Sequence, residues 1–411
     1  MKKDRLTQYG RRMAAVLLLS MAAACTSQNS SIESPTLSSF AEYRRDTVEH
    51  LRTQRRASAS DLAAEVLLNA PREWRPSMSS QKGTPKKGIL LVHGLGDSPW
   101  SFHDVGEQLA KRGFLVRTVL LSGHGTHPGD MLDIELDQWR RLVREQTAVL
   151  QRDVSEVYLG GFSTGANLVT EYAYSNPDIA GLVLFSPAFK AKTRLGWTAA
   201  LVRKVRPWLI NPDGRMPLQN AVRYFMVPTN GFAQFHQSSV AARQMLERRS
   251  YDKPVFMVAV QNDSVLDADY MLRTFQTRFP HPASRMIWYG KQPARLTDKA
   301  RVAVRTDYLP QERISQFSHM GILFHPRNQL YGRQGSIRIC WNGQTEQAMK
   351  VCETGGQVWF SDWGHREDGK IHARLTYNPY FDWQTSVMLS VLGETVPDNV
   401  VSPRFTQESR Q

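Results

Sequence analysis

The chain has 411 residues, with 52 Lys and Arg against 38 Asp and Glu, a net charge of +14 and a pI near 9.8. Hydrophobic residues make up 41% and charged residues 22%, which is ordinary globular usage; it excludes a fibrous or wholly disordered chain and suffices for one large domain with insertions. The basic residues are scattered in ones and twos, such as Lys111-Arg112, with no long block, so they read as a solvated surface and not as a nucleic-acid footprint.

In chain order, Lys2, Lys3, Arg5, Arg11 and Arg12 precede the mostly apolar run Met13 to Ala24, too short to span a bilayer, and residues 1–24 read as an export signal. Ala22 and Ala24 before Cys25 resemble the cleavage and lipidation site of bacterial lipoproteins, although Ala22 stands where Leu is usual. Plain cleavage without lipid is the alternative. The expected location is the cell envelope, anchored to a membrane through Cys25, or otherwise periplasmic or secreted. Residues 25–39, Ser/Thr-rich and poor in apolar side chains, read as a flexible tether.

Residues 40–87 read as a helical extension. Phe40, Tyr43, Val48 and Leu51 line one face of a helix over Phe40 to Gln54, and Ser60 is placed to cap a second one from Asp61 to Leu68. From Gly88, short apolar runs alternate with longer amphipathic stretches, the signature of a mostly parallel sheet flanked by helices, here over residues 88–395. Strands are expected at Gly88 to His93, Leu115 to Leu121, Val157 to Gly161, Ile179 to Phe185 and Val255 to Val260, because such runs suit strands buried on both faces. The segment 189–253, rich in Arg, Trp, Phe and Pro, interrupts this rhythm. The segment 332–370, rich in Gly, Trp and polar residues, reads as an irregular or β-hairpin insertion. A last helix is expected around Asp382 to Leu392, followed by a tail over 396–411.

Cys340 and Cys352 both lie in that second insertion. An even pair in an exported chain suits one disulfide, and two unpaired small apolar side chains are the alternative.

The chemistry concentrates at three places. Gly161-Phe162-Ser163-Thr164-Gly165 follows an apolar run and precedes a helical pattern, the context of a nucleophile elbow, with Ser163 on a sharp strand-to-helix turn. His93-Gly94-Leu95-Gly96 closes the first strong strand, and the backbone N–H groups of Leu95 and Thr164 are the proposed oxyanion donors. His93 itself reads as a structural histidine shaping this turn.

On His93-Gly94-Leu95-Gly96, Ser122-Gly123-His124-Gly125 with Gly129-Asp130, and the elbow around Ser163, the chain resembles the α/β-hydrolase superfamily. The likeness is to the group of bacterial carboxylesterases, monoacylglycerol lipases and lysophospholipase-like serine aminopeptidases, over roughly Gly88 to Phe324 plus the last helix. It implies a Ser, Asp, His order. The triad acid then falls on Asp263, just past the run Val255 to Val260, with Asp267 and Asp269 as competitors and Asp267 better suited to a helix cap. The base falls on His319, after the strand-like run Arg313 to Phe317; it lies further beyond Asp263 than is usual, so Lys291 to Pro310 reads as an insertion. His325, His365 and His372 are its rivals. His124 and His127 offer no third ligand, and no metal or other cofactor is expected.

The resemblance also makes 189–253 a cap over the pocket. Its aromatics, Trp197, Trp208, Phe225, Phe232 and Phe235, suit acyl chains, although most of them read as the cap's own core. The expected activity is hydrolysis of a carboxylic ester, of a lipid or lysophospholipid-like kind. Peptide or amide cleavage on the same triad and a non-catalytic envelope protein are the alternatives, and oligomeric state is left open.

Overall fold

Strands that carry helices on both faces must be apolar on both faces, and five runs of Val, Ile, Leu and Phe in the middle of the sheet meet that demand. In the computed structural model an eight-stranded sheet is formed by β1 (Glu73–Trp74), β2 (Lys87–Val92), β3 (Leu115–Val119), β4 (Glu156–Phe162), β5 (Ile179–Phe185), β6 (Val255–Val260), β7 (Arg285–Tyr289) and β8 (Val302–Arg305). Their spatial order is β1-β3-β2-β4-β5-β6-β7-β8, and every neighbouring pair is parallel except β1 with β3. The structure describes residues 38–57, 61–76, 85–193, 198–212 and 217–396. The export signal, Cys25, the tether up to residue 37, Ser60, Trp197 and the tail from 397 lie outside the described residues. The chain divides into a unit Met1–Leu37 and a unit Ser38–Gln411, and the whole sheet belongs to the second.

Alternate residues along each strand feed two cores. Leu90, Val92, Leu159, Leu182 and Leu184 face one side. There they meet α4 (Leu136–Gln151), α5 (Thr164–Ser175), α6 (Thr229–Arg248) and α7 (Ala268–Arg278) through Trp139, Leu168, Leu246 and Phe275. Ile89, Leu91, Val183 and Phe185 face the other side, against α3 (His103–Lys111) and α9 (Phe381–Val391) through Leu109 and Met388. The period of two that divides these side chains is what fixes the register of each strand.

The N-terminal extension forms α1 (Phe40–Gln54), opened by a reciprocal cap between Ser39 and Glu42, and α2 (Leu62–Asn69), capped by Asp61, whose side chain accepts from Ala64 N. Arg55, at the end of α1, is buried. It pairs with Glu65 at 2.6 Å and donates to the carbonyls of Gly125 at 2.5 Å and Ala221 at 2.9 Å.

The α/β class and the parallel sheet agree with the sequence reading, but two local expectations do not hold. Arg313 to Phe317 is not a strand: Arg313 takes a left-handed conformation (φ 54°) at the end of a 3-10 turn, and Ile314 makes only isolated bridges to Leu309 and Phe360. The eighth strand lies earlier, at Val302–Arg305, inside the stretch expected to be an insertion. Of the two forms expected for them, residues 332–370 take the irregular one over most of their length and form no β-hairpin. They hold α8 (Glu346–Glu353) and β9 (Trp359–Ser361), and β9 pairs with β10 (His372–Arg374) in parallel. A parallel pair needs a crossover, which residues 362–371 supply. Cys340 and Cys352 are joined by a disulfide across this segment.

Candidate active site

Ser163 stands between the end of β4 and the first residue of α5 with φ 53° and ψ −116°, a conformation sparsely open to L-residues. Its surroundings dictate the glycines on either side. A Cβ at Gly165 would lie 2.0 Å from the Val92 carbonyl oxygen, and one at Gly161 would lie 2.4 Å from the Ala166 nitrogen. The strained turn is held by the Ser163 N–H donating to Phe185 O at 3.0 Å and by the Ser163 carbonyl accepting from Ala166 and Ala188, each at 3.1 Å.

The turn after β2 lies directly against this elbow: a Cβ at Gly94 would stand 3.1 Å from the Ser163 Cβ. Its shape is set by two buried imidazoles. His93 Nδ1 donates to Gly94 O at 2.8 Å, and His93 Nε2 accepts from Leu121 N at 3.1 Å. His124 Nδ1 donates to Ser122 O at 3.1 Å, while its Nε2 accepts from Gly96 N at 3.0 Å. Burial, and for His93 also the neighbouring His124, holds both rings below the usual histidine range, His124 at about 4. Both are therefore neutral, with their ring nitrogens committed to backbone, which leaves His124 without a lone pair for a metal. Tyr224 stacks on His124 at 6.1 Å, and its own N–H donates to Gly96 O at 2.7 Å. Among the described residues nothing accepts from the N–H groups of Leu95 or Thr164. Thr164, as the first residue of α5, has no partner for its N–H within the helix.

Asp263 and His319 meet from 56 positions apart, with His319 Nδ1 2.7 Å from Asp263 Oδ2, and both are buried. The other carboxylate oxygen accepts from Val265 N at 2.8 Å and Leu266 N at 2.9 Å, so the acid is oriented by backbone on one side and presents its second oxygen to the imidazole. Asp267 caps α7, accepting from Tyr270 N at 2.9 Å. His325, whose Nε2 lies 3.4 Å from Asp382, and His365 and His372, which gather around Glu367, belong to other clusters.

Four charged residues at this site belong to none of the sequence motifs. Asp97, directly after the Gly94-Leu95-Gly96 turn, takes both oxygens to Arg223 Nη1 at 3.0 Å; burial pushes its carboxyl up while Arg223 and His319 oppose that. Asp362, at the start of the β9–β10 crossover, is fully buried and accepts from Ser264 N at 2.6 Å, immediately beside Asp263. Burial pushes its carboxyl up as well, Arg374 opposes this, and the charge of Asp263 adds to it. Arg374, from β10, stands 3.8 Å from Asp362 and donates to Asn342 at 2.7 Å. The C-terminal segment thus reaches the back of the Asp263–His319 pair. Only the position of Asp97, next in line after the glycine turn, could have drawn attention in advance.

A cavity of about 880 Å³ is lined by Phe225 and Val227 from the segment after β5, Phe232 from the start of α6, Trp341 from the chain before α8, and Met349 and Lys350 from α8. Val227 also touches the turn at Gly96: a Cβ there would stand 3.3 Å from Val227 Cγ2. Phe235 is instead buried in the sheet-side core.

Residues 83–277, just under half of the chain, match the family described as "Serine aminopeptidase, S33". A thermostable monoacylglycerol lipase of Bacillus sp. (strain H-257) is 36% identical over 167 residues, covering 39% of this chain and 65% of the lipase. A monoglyceride lipase of Rattus norvegicus is 28% identical over 124 residues, covering 29% of this chain and 39% of that protein. The chain therefore spans less than two thirds of the length of these curated relatives. Among solved structures, the monoacylglycerol lipase of Paleococcus ferrophilus overlaps with 17% identity and a TM-score of 0.41, covering 53% of this chain and 87% of that one.

Proposed function

We propose that this chain, which belongs to the α/β-hydrolase superfamily, is a serine hydrolase that cleaves carboxylic esters of a lipid or lysophospholipid-like kind. Ser163 Oγ attacks the ester carbonyl while His319 takes its proton through Nε2, and Asp263 holds the imidazole in the tautomer that leaves Nε2 free to accept. The negative charge that develops on the carbonyl oxygen is received by the N–H groups of Leu95 and Thr164, at the positive end of α5. Collapse expels the alcohol with the proton from His319. Water, deprotonated by the same histidine, then releases the acid and frees Ser163. No cofactor enters these steps.

The observation that carries this reading is the strained Ser163 next to two unused N–H groups, with Asp263 and His319 paired at 2.7 Å and the His319 ring 4.9 Å from the ring of Phe162, the residue before Ser163. A lipid-like acyl group is favoured by the mostly apolar cavity whose Val227 wall touches the turn at Gly96, and two relatives carry lipase names. Export and anchoring through Cys25 belong to the same proposal, and place the enzyme beside lipid substrates. Among the described residues no helix is long and apolar enough to cross a membrane.

The test is hydrolysis of p-nitrophenyl esters of graded chain length, with fluorophosphonate labelling as a second readout. Ser163→Ala is expected to lower kcat by at least about 1,000-fold and to abolish labelling with the fold unchanged. Labelling of the wild type without cleavage of any ester would turn the reading to peptides, and a wild type that is neither labelled nor active would end it.

A further inference from the structure

Away from Ser163, three side chains of the C-terminal segment converge on one point. His365 and Glu367 lie in the β9–β10 crossover and His372 opens β10. His372 Nε2 stands 3.0 Å from Glu367 Oε2, His365 Nε2 stands 3.5 Å from the same oxygen, and one ligand atom from each residue falls within 4.8 Å of the others. Two ligands of a tetrahedral zinc ion at the usual bond lengths lie about 3.3 Å apart, and the two measured separations bracket that spacing. His365 Nε2 is buried without a hydrogen-bond partner among the described residues. Ser315 Oγ bonds Glu367 Oε2 and lies 3.2 Å from His372 Nε2, which puts a hydroxyl beside two of the three ligand atoms.

We propose that His365, Glu367 and His372 form a binding site for a divalent transition metal of the zinc class, with the Ser315 hydroxyl or a water as fourth ligand. Two imidazoles and one carboxylate make a donor set that suits zinc or cobalt and is poor for magnesium or calcium, which prefer oxygen throughout. The His93–His124 pair makes the contrast clear. Those rings are also close, with centroids 4.9 Å apart, but both Nε2 atoms accept backbone amides. Lys370, 3.3 Å from Glu367, balances the carboxylate when no metal is bound; a metal takes over that charge, and the ammonium keeps its place over the Trp359 ring at 3.5 Å. The bound ion closes the crossover onto the strand it leads to. The same crossover starts at Asp362, so the metal also steadies the carboxylate that bonds Ser264 N beside Asp263.

The full chain, stripped with a chelator and then loaded with zinc or cobalt(II), is to be freed of excess ion and its metal content measured, with the visible spectrum of cobalt as a report on geometry. About one equivalent is expected, with a tetrahedral cobalt spectrum and a rise in Tm on adding zinc. His365→Ala, His372→Ala and Glu367→Gln should each weaken binding at least about tenfold, while His50→Ala, on the exposed face of α1, should leave it unchanged. Glu367→Gln preserves side-chain volume and decides the matter if a histidine variant fails to fold. Failure of the wild type to retain metal, or equal retention by the variants, would overturn the site, and neither result depends on whether the chain cleaves esters.

Discussion

Ser163 and the glycine turn against it follow β4 and β2, in the middle of the sheet, whereas His319, Asp362 and Arg374 come from the chain after the last strand of that sheet, His319 and Asp362 from irregular stretches and Arg374 from the short β10. The first group is positioned by contacts between backbones. Val92 O stands where a Gly165 Cβ would be, and no change of rotamer relieves such a contact. The second group is positioned by hydrogen bonds between side chains and amides distant in sequence, such as Asp362 with Ser264 N, 98 positions apart. Steric placement is all or nothing, while a polar network gives way in steps, because the remaining bonds still hold part of the geometry.

That contrast can be broken most directly at Gly165. Gly165→Ala should destabilise the protein by more than about 4 kcal/mol, or prevent folding outright, since strand and helix must separate to admit one methyl group. Chemical denaturation measures this, and a loss of under about 1 kcal/mol would mean that the elbow yields after all.

A smaller effect is expected from acid. The pKa of His124 falls from 6.5 in the unfolded chain to about 4 in the fold, so below pH 6.5 the unfolded chain takes up the proton first. Stability is complete above that pH and is lost as pH falls from 6.5 through about 4, by up to about 3 kcal/mol. His124→Gln, which cannot take up that proton, should flatten the acid limb of a plot of Tm against pH. An unchanged limb would assign it to other groups.

The smallest change belongs to the network. Asp362→Asn keeps an oxygen for Ser264 N but loses the charge opposite Arg374, and Asp263 retains its own bonds from Val265 and Leu266. A fall in kcat of about tenfold with KM unchanged is expected. A loss as large as that of Ser163→Ala would show the two halves to be equally intolerant and would erase the distinction.

The same division decided what could be read from the sequence. Ile179–Phe185 and Val255–Val260 were legible to the residue because burial on both faces leaves an uninterrupted apolar run. The strand Val302–Arg305 was not: four residues at the sheet edge, flanked by Lys299, Arg301 and Asp307, carry too little apolar signal. Ser163 could be singled out because its turn demands glycines at fixed offsets, and Asp263 because it follows a strand. Asp362 and Arg374 could not. Their partners are chosen by the path of a crossover, and a buried ion pair leaves no periodic trace in the residues around it.

Arg55 sets a limit on how this protein can be trimmed. Its guanidinium reaches the carbonyls of Gly125, in the loop that carries His124, and of Ala221, in the segment that supplies Tyr224 and Val227. A chain begun at Gly88, where the apolar strands start, would retain every residue proposed for the chemistry and still leave those carbonyls without their donor. The helices before the sheet are therefore no dispensable leader, and the shortest chain worth expressing starts before Phe40.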